Sequence, residues 1–411
     1  MKTIFLSGAL LGPFCPGACL SQDRPASAER DSVPISLPSP NGRYAVGALR
    51  YAWTDSTRAE IGTADTSDRR TLVVRVWYPA ERGTQPIEPY LPQLEQYVAA
   101  GSLSERTAGR LRRVRHAAAT GASIIKNPAR LPLLIFSTGN GEMEFMYTAL
   151  AEELASQGYV FALIPHAGVA DVVYPDGRSL RRYPRLFDPK PPGWEASLPA
   201  TMPLNLRRAL YDTMYTEAAS YLTADVGFVI DRMQALDLEA GSPFRERLDL
   251  DRIVTLGHSY GGNVAIEACH RHPRVRACVQ FDGSAFGPTR DEGLAKPYMM
   301  LRPAFMNEGT PRGLSQVQLM GAMRHDAYEV NVEGAVHRSF MDAEFLSPPT
   351  PRPSSLGADR VLQITSAYVR AFLGKYLDGR DSPLLSKRSR TFPEVHLRIL
   401  KVDFGPRTAS R

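Results

Sequence analysis

The architecture of this chain turns on "LGHSYGG", residues 256–262. The run before it, "DRIVTL" (251–256), is β-branched and apolar in the manner of a buried strand. The run after it, "NVAIEAC" (263–269), has helical spacing. Gly257-His258-Ser259-Tyr260-Gly261 therefore fits G-x-S-x-G in the strand–turn–helix context that a nucleophile elbow requires. The glycines answer a steric need. The serine sits on a strained, sharp turn, and a Cβ at Gly257 or Gly261 would collide with the neighbouring strand or helix. The turn also sets the Ser259 hydroxyl at a helix N-terminus, whose free N–H groups favour developing negative charge.

Around this element strands and helices alternate. "LPLLIFST" (131–138) reads as a buried strand, "MYTALAEELASQG" (146–158) as a helix closed by Gly158, and "YVFALIPH" (159–166) as the next strand. "YTEAASYLTADVGFVIDRMQALD" (215–237) is a long helix whose Val226, Ile230, Met233 and Leu236 form a core stripe. "RVRACVQFDG" and "KPYMMLRP" follow as strands, "AYEVNVEGAVH" as the last strand, and "ADRVLQITSAYVRAFLGKYL" as the C-terminal helix. Upstream, "GRYAVGALRYAWTD" and "TLVVRVWYPA" predict antiparallel N-terminal strands, whereas "EPYLPQLEQYVAAGSLSERTAGRLRRVRHAAA" predicts one or two helices outside the sheet. The pattern predicts an α/β fold with a mostly parallel, doubly wound sheet covered by helices on both faces. Residues 168–203, rich in Pro and aromatics, read as a lid or binding excursion.

The domain reading is a signal peptide over 1–21, a linker over 22–40, a hydrolase domain over 41–380 and a C-terminal tail over 381–411. The first residues carry one Lys and a short apolar stretch, which predicts export to the periplasm or the exterior. "GAC" (17–19) resembles a lipoprotein site, but Pro16 stands where such sites have an aliphatic residue, which disfavours an anchor at Cys19. Cys269 and Cys278 are expected as half-buried thiols, with pairing in an oxidising compartment left open.

A chain of 411 residues with 43% hydrophobic and 22% charged content is an ordinary globular composition. The +6 formal charge comes from scattered Arg, and the one dense basic run, "RTAGRLRRVRH" (106–116), has no interleaved aromatics. That excludes nucleic acid as the expected partner.

A serine hydroxyl is a weak nucleophile and needs a base with an orienting carboxylate. In this topology the chain order is Ser, then Asp or Glu, then His. Five histidines follow Ser259. His270 and His272 sit on the end of the same helix, His325 precedes a strand on the far side, and His396 lies in a basic tail. His337, after "YEVNVEGAV", can return to the carboxyl edge of the sheet and is the expected base. Asp282 ends the first strand after the nucleophile, whereas Asp291 and Glu292 lie in a loop and Asp326 begins a strand. The oxyanion donors are expected to be the backbone N–H groups of Tyr260 and of Asn140, in "FSTGNGEMEF". No metal and no organic cofactor is implied.

These residues resemble the platelet-activating-factor acetylhydrolases of the plasma and type II group, within the α/β-hydrolase superfamily. The matching pieces are "VRVWYPA", "PLLIFSTGNG", "LAEELASQGYVFALIPH", "GHSYGGNVAIEA", "FDGSAFG", "KPYMML" and "VHRSFMD". The family places its acid on the strand after the nucleophile helix, which implies Asp282, and its histidine in V-H-x-x-F, which implies His337. Where the family's oxyanion loop reads S-H-G, this chain has Ser137-Thr138-Gly139. The resemblance implies a serine esterase that removes short or oxidised acyl groups from phospholipid-like esters, with association at a membrane surface. Two rivals stand beside it. One is an esterase or amidase of dienelactone-hydrolase or polyester-cleaving kind; the other is a secreted binding protein that keeps the fold without catalysis.

Overall fold

The computed structural model describes residues 34–128, 130–182, 203–304, 311–346 and 356–401. Its centre is a ten-stranded sheet. In chain order the strands of the molecule are β1 (Ile35–Ser36), β2 (Ala45–Ala59), β3 (Arg69–Ala80), β4 (Val114–Arg115), β5 (Ala119–Thr120), β6 (Leu131–Ser137) and β7 (Val160–Ile164). They continue with β8 (Val172–Val173), β9 (Ser179–Leu180), β10 (Leu248–His258), β11 (Val275–Phe281), β12 (Tyr298–Pro303), β13 (Ala327–Val332) and β14 (Val395–Leu400). The sheet runs β14-β13-β12-β11-β10-β6-β7-β3-β2-β5. The six strands from β13 to β7 are parallel, with antiparallel pairs at β13–β14, β7–β3 and β3–β2. This is the α/β-hydrolase fold expected from the alternation, with its antiparallel N-terminal strands.

The sequence of β6 shows why both faces are covered. Leu134 and Phe136 point into one core, shared with Leu150 and Leu154 of helix Thr148–Ser156 and with Ile364, Tyr368 and Phe372 of helix Ala358–Asp378. Leu133 and Ile135 point into the other, shared with Val226, Ile230 and Met233 of helix Leu204–Leu238 and with Val264 and Ile266 of helix Tyr260–Arg271. A strand buried on both faces reads as a continuous apolar run, and "LPLLIFS" is one.

Several sequence expectations need correction. The last strand is β14, which completes the sheet from within the expected tail at 381–411. Val395, Leu397 and Ile399 pack on or against the core, an alternation obscured by interleaved His396 and Arg398. The expected linker at 22–40 contains β1, which pairs with β4, and Leu37 is buried. The region 81–130 holds two short helices, Leu94–Ala99 and Glu105–Leu111, as read, but also β4 and β5, each too short to give a sequence signal. The long helix begins at Leu204, eleven residues before Tyr215. Val169, Ala170, Val172 and Val173, in the expected excursion, are buried instead of looping out. Residues 183–202 of that excursion, and the signal-peptide reading, lie outside the described residues. Cys269 and Cys278 are free and fully buried, not half-buried, and burial pushes the Cys278 thiol well up.

Candidate active site

β6 and β10 are neighbours in space, yet the chain leaves β6 toward β7 on one side and returns to β10 on the other. Such a switch in strand order opens a crevice at the carboxyl ends of the strands, where ligands of open α/β sheets bind. The register pairs Gly257 with Ser137 and His258 with Phe281. The loop after β6, the elbow after β10 and the turn after β11 therefore emerge side by side.

At the elbow Ser259 has φ 55° and ψ −123°, a strained conformation for a residue with a side chain. Its own N–H donates to the Phe281 carbonyl at 2.8 Å. A Cβ on Gly257 would lie 2.1 Å from the Gly261 carbonyl oxygen, and one on Gly261 would lie 2.1 Å from that of Ser137. Both obstacles are backbone, so neither can move aside. Asp282, just after β11, is a second non-glycine residue in left-handed backbone, at φ 42°. Its N–H donates to the Leu301 carbonyl at 2.8 Å, which leaves the side chain at the carboxyl edge.

His337 begins a short 3-10 turn, His337–Phe340, capped by the Ser339 hydroxyl accepting from the Val336 N–H. His337 Nδ1 is 2.6 Å from Asp282 Oδ2, a charge-assisted distance, and the ring is 37% exposed. In the neutral tautomer that donates an Nδ1 proton to this carboxylate, Nε2 is the unprotonated nitrogen. The Ser259 hydroxyl makes no hydrogen bond among the described residues. Bonds of this kind are often long or misaligned in ligand-free enzymes and tighten around substrate. Three of the other histidines after Ser259 are engaged elsewhere: His270 pairs with Glu292 at 3.2 Å, His396 with Glu333 at 3.2 Å, and His325 packs edge-on against Tyr376.

In the loop after β6, Gly139 N–H is taken by Glu142 Oε2 at 2.7 Å and Gly141 N–H by the Val169 carbonyl at 2.9 Å. The N–H of Asn140, between them, has no partner among the described residues, and its side-chain Oδ1 is buried without one. Tyr260 is the first residue of helix Tyr260–Arg271, where an N–H has no partner within the helix.

Two buried networks escaped the sequence reading. His258 Nδ1 lies 3.0 Å from both Glu142 oxygens and from the Tyr147 hydroxyl, which donates to Glu142. His258 Nε2 lies 3.0 Å from the His337 carbonyl oxygen. Burial pushes the Glu142 carboxyl up, but His258, His337 and the Tyr147 hydrogen bond hold it below the usual carboxylate range. Glu142, His258 and His337 offer ligand atoms within 4.8 Å of one another. The His258 and Glu142 atoms are already engaged with each other, and a metal would have to break that bond. In the second network His166 Nε2 is 3.0 Å from Ser137 Oγ, and His166 Nδ1 is 2.8 Å from Asp225 Oδ2. Arg70 and Asp225 form a sealed ion pair at 2.6 Å. Burial lowers the His166 pKa despite Asp225, and Arg70 and His166 keep the Asp225 carboxylate ionised despite its burial. In both networks a histidine is joined to partners far off in sequence, which leave no local pattern.

The fold and the elbow serine define the class, an α/β-hydrolase. Residues 31–172 and 226–373 match the family described as platelet-activating factor acetylhydrolase, isoform II. The chain is 21% identical to a platelet-activating factor acetylhydrolase of Cavia porcellus, over 82% of this chain and 78% of that protein. It is 25% identical to a probable 1-alkyl-2-acetylglycerophosphocholine esterase of Arthroderma benhamiae, over 90% and 96%. Among solved structures it resembles a ferulic acid esterase from Streptomyces cinnamoneus, with a TM-score of 0.67 and 27% identity, over 89% of this chain and 99% of that one. The chain belongs to the platelet-activating factor acetylhydrolase isoform II family. It is a serine-type carboxylic ester hydrolase.

Proposed function

We propose that the chain cleaves short or oxidised acyl groups from phospholipid-like esters, with Ser259 as nucleophile, His337 as base and Asp282 as orienter. The observation that supports this reading is the 2.6 Å bond from His337 to Asp282, the residue directly after Phe281, whose carbonyl accepts from the N–H of the strained Ser259. As Ser259 Oγ attacks the ester carbonyl carbon, its proton passes to His337 Nε2. Asp282 stabilises the imidazolium that forms. The carbonyl electrons become an oxyanion facing the N–H groups of Asn140 and Tyr260, each worth about 3 kcal/mol in comparable sites. Collapse breaks the bond to the alkoxy leaving group, which takes the His337 proton. Water then attacks the acyl-serine by the same route and releases the acid and free enzyme.

The acetyl-glycerophosphocholine activity named for the family members favours a short acyl chain on a phospholipid. The reading adds export through residues 1–21 and contact with a lipid surface by docking. Among the described residues no helix is long and apolar enough to cross a membrane. A second reading rests on the higher identity to the ferulic acid esterase: esters of small aromatic acids on non-phospholipid alcohols. A panel of 2-acetyl phospholipid, p-nitrophenyl esters of increasing chain length and methyl ferulate, each against wild type and Ser259→Ala, separates the two. Preference for the acetyl phospholipid supports the first reading; a larger kcat/KM on methyl ferulate replaces it with the second.

A further inference from the structure

His258 is one of the two variable residues of the elbow motif, and nothing in the chemistry just described uses its side chain. Its position is nevertheless singular. It sits at the carboxyl end of β10, directly before Ser259, and is fully buried. Nε2 faces an acceptor, the main-chain carbonyl of His337, and must carry a proton to bond it at 3.0 Å. Nδ1 faces the Glu142 carboxylate at 3.0 Å. Glu142 in turn accepts from the Gly139 N–H, in the turn that presents Asn140. The His258 and His337 rings are 4.5 Å apart, centre to centre, and the Phe340 ring centre lies 6.5 Å from that of His258. One buried imidazole thus ties together the three segments that must be in register for acyl transfer: elbow, base loop and oxyanion loop.

We infer that His258 and Glu142 are positioning residues, which hold the His337 main chain and the Asn140 turn at a fixed distance from Ser259. The inference rests on the roles assigned above to Ser259, His337 and Asn140. His337 is hydrogen-bonded at its side chain to Asp282, and its ring is 37% exposed. The His258 bond fixes its backbone instead, so the ring can pivot but not drift. Glu142 applies the same restraint to the oxyanion turn. Misplacement of a reacting group by about 1 Å costs on the order of 100-fold in rate. Ground-state binding of the substrate does not pass through this network. Its loss is expected in kcat and not in KM.

The test compares His258→Gln, whose amide nitrogen can reach the His337 carbonyl, with His258→Asn, whose shorter amide cannot, and with His258→Phe, which keeps the ring volume. Full-length proteins are assayed on p-nitrophenyl acetate and labelled with a fluorophosphonate, with unfolding measured in parallel. We expect His258→Asn and His258→Phe to lose on the order of 100-fold in kcat with KM within about threefold, and His258→Gln to recover at least about tenfold of that loss. Glu142→Gln is expected to lower kcat in the same direction. Equal kcat for the Gln and Asn variants, or kcat within threefold of wild type in a folded Phe variant, overturns the inference. If the Phe variant does not fold, the Gln–Asn pair decides alone. Wild-type protein that neither hydrolyses the ester nor takes up the label would overturn the catalytic reading itself, a result distinct from unchanged variants of an active enzyme.

Discussion

Ser137 Oγ and His166 Nε2 lie 3.0 Å apart, and with Asp225 on the other ring nitrogen they reproduce the hydrogen-bonding order of a catalytic triad inside the protein core. All three side chains are sealed from solvent. A nucleophile that no ester can reach does no chemistry. The arrangement instead clamps the end of β6, from which the loop that carries Asn140 departs. Ser137→Ala is therefore expected to keep fluorophosphonate labelling at one site per chain. Ser259→Ala should abolish labelling and lower kcat on the order of a million-fold. Mass spectrometry of the labelled peptide reads the difference, and label on Ser137 would refute the assignment.

In the proposed mechanism Asp282 acts through the tautomer of His337. Asp282→Asn leaves the space filled but offers an N–H toward Nδ1, favouring the wrong tautomer. A fall of about 10⁴-fold in kcat is expected, with little change in unfolding. Near-normal turnover would transfer the role to another carboxylate.

The proposed Asn140 donor is a main-chain group, so its side chain should matter less than its N–H. Asn140→Ala is expected to retain most activity, whereas Asn140→Pro, which deletes the N–H, should lose roughly 10²–10³-fold in kcat. Similar kinetics for the two would place the oxyanion elsewhere.

Gly257 and Gly261 have no room for a methyl group, and the atoms in the way are backbone oxygens 2.1 Å from the ideal Cβ positions. Either Gly→Ala change is expected to cost about 3 kcal/mol or more of stability, through forced backbone shifts in a packed core. Urea unfolding of the two variants measures it.

Asp342, in "VHRSFMD", is buried against the Tyr90 hydroxyl at 2.8 Å and the Ala149 N–H at 3.2 Å. Burial pushes its pKa up from 3.8 to about 7, with Glu152 adding to the rise and the hydrogen bonds opposing it. The fold thus prefers the protonated acid. The stability this contributes is complete below about pH 4, declines as pH rises, and is lost once pH passes about 7. Asp342→Asn should flatten the decline in melting temperature between pH 5 and pH 8. An unchanged slope would assign that titration to another group.

The parts of the proposed site that follow from chain order carry a signal in the sequence. Ser259 is marked by a local five-residue pattern, Asp282 by the end of the next strand, and His337 by the loop after β13. Each is a position along the chain, and the alternation of strands and helices fixes where such positions fall. His258, Glu142 and Tyr147 could not be read that way. Glu142 and His258 are 116 residues apart, and their bond exists only because β6 and β10 are adjacent. Ser137, His166 and Asp225 escaped for the same reason. β14 is a different kind of omission. "VHLRIL" alternates with a period of two, but its basic neighbours made it resemble solvated tail.

That strand also bears on how the protein comes into being. β13 receives its outer neighbour from residues more than sixty positions further on, after the intervening helix Ala358–Asp378. Until Val395–Leu400 has been synthesised and docked, β13 presents a bare row of amides and carbonyls, a template for pairing with other nascent chains. The hydrolytic machinery can be fully translated while the molecule is still open to aggregation along that border, so truncations before Val395 should be recovered as insoluble material even though every reactive side chain is retained.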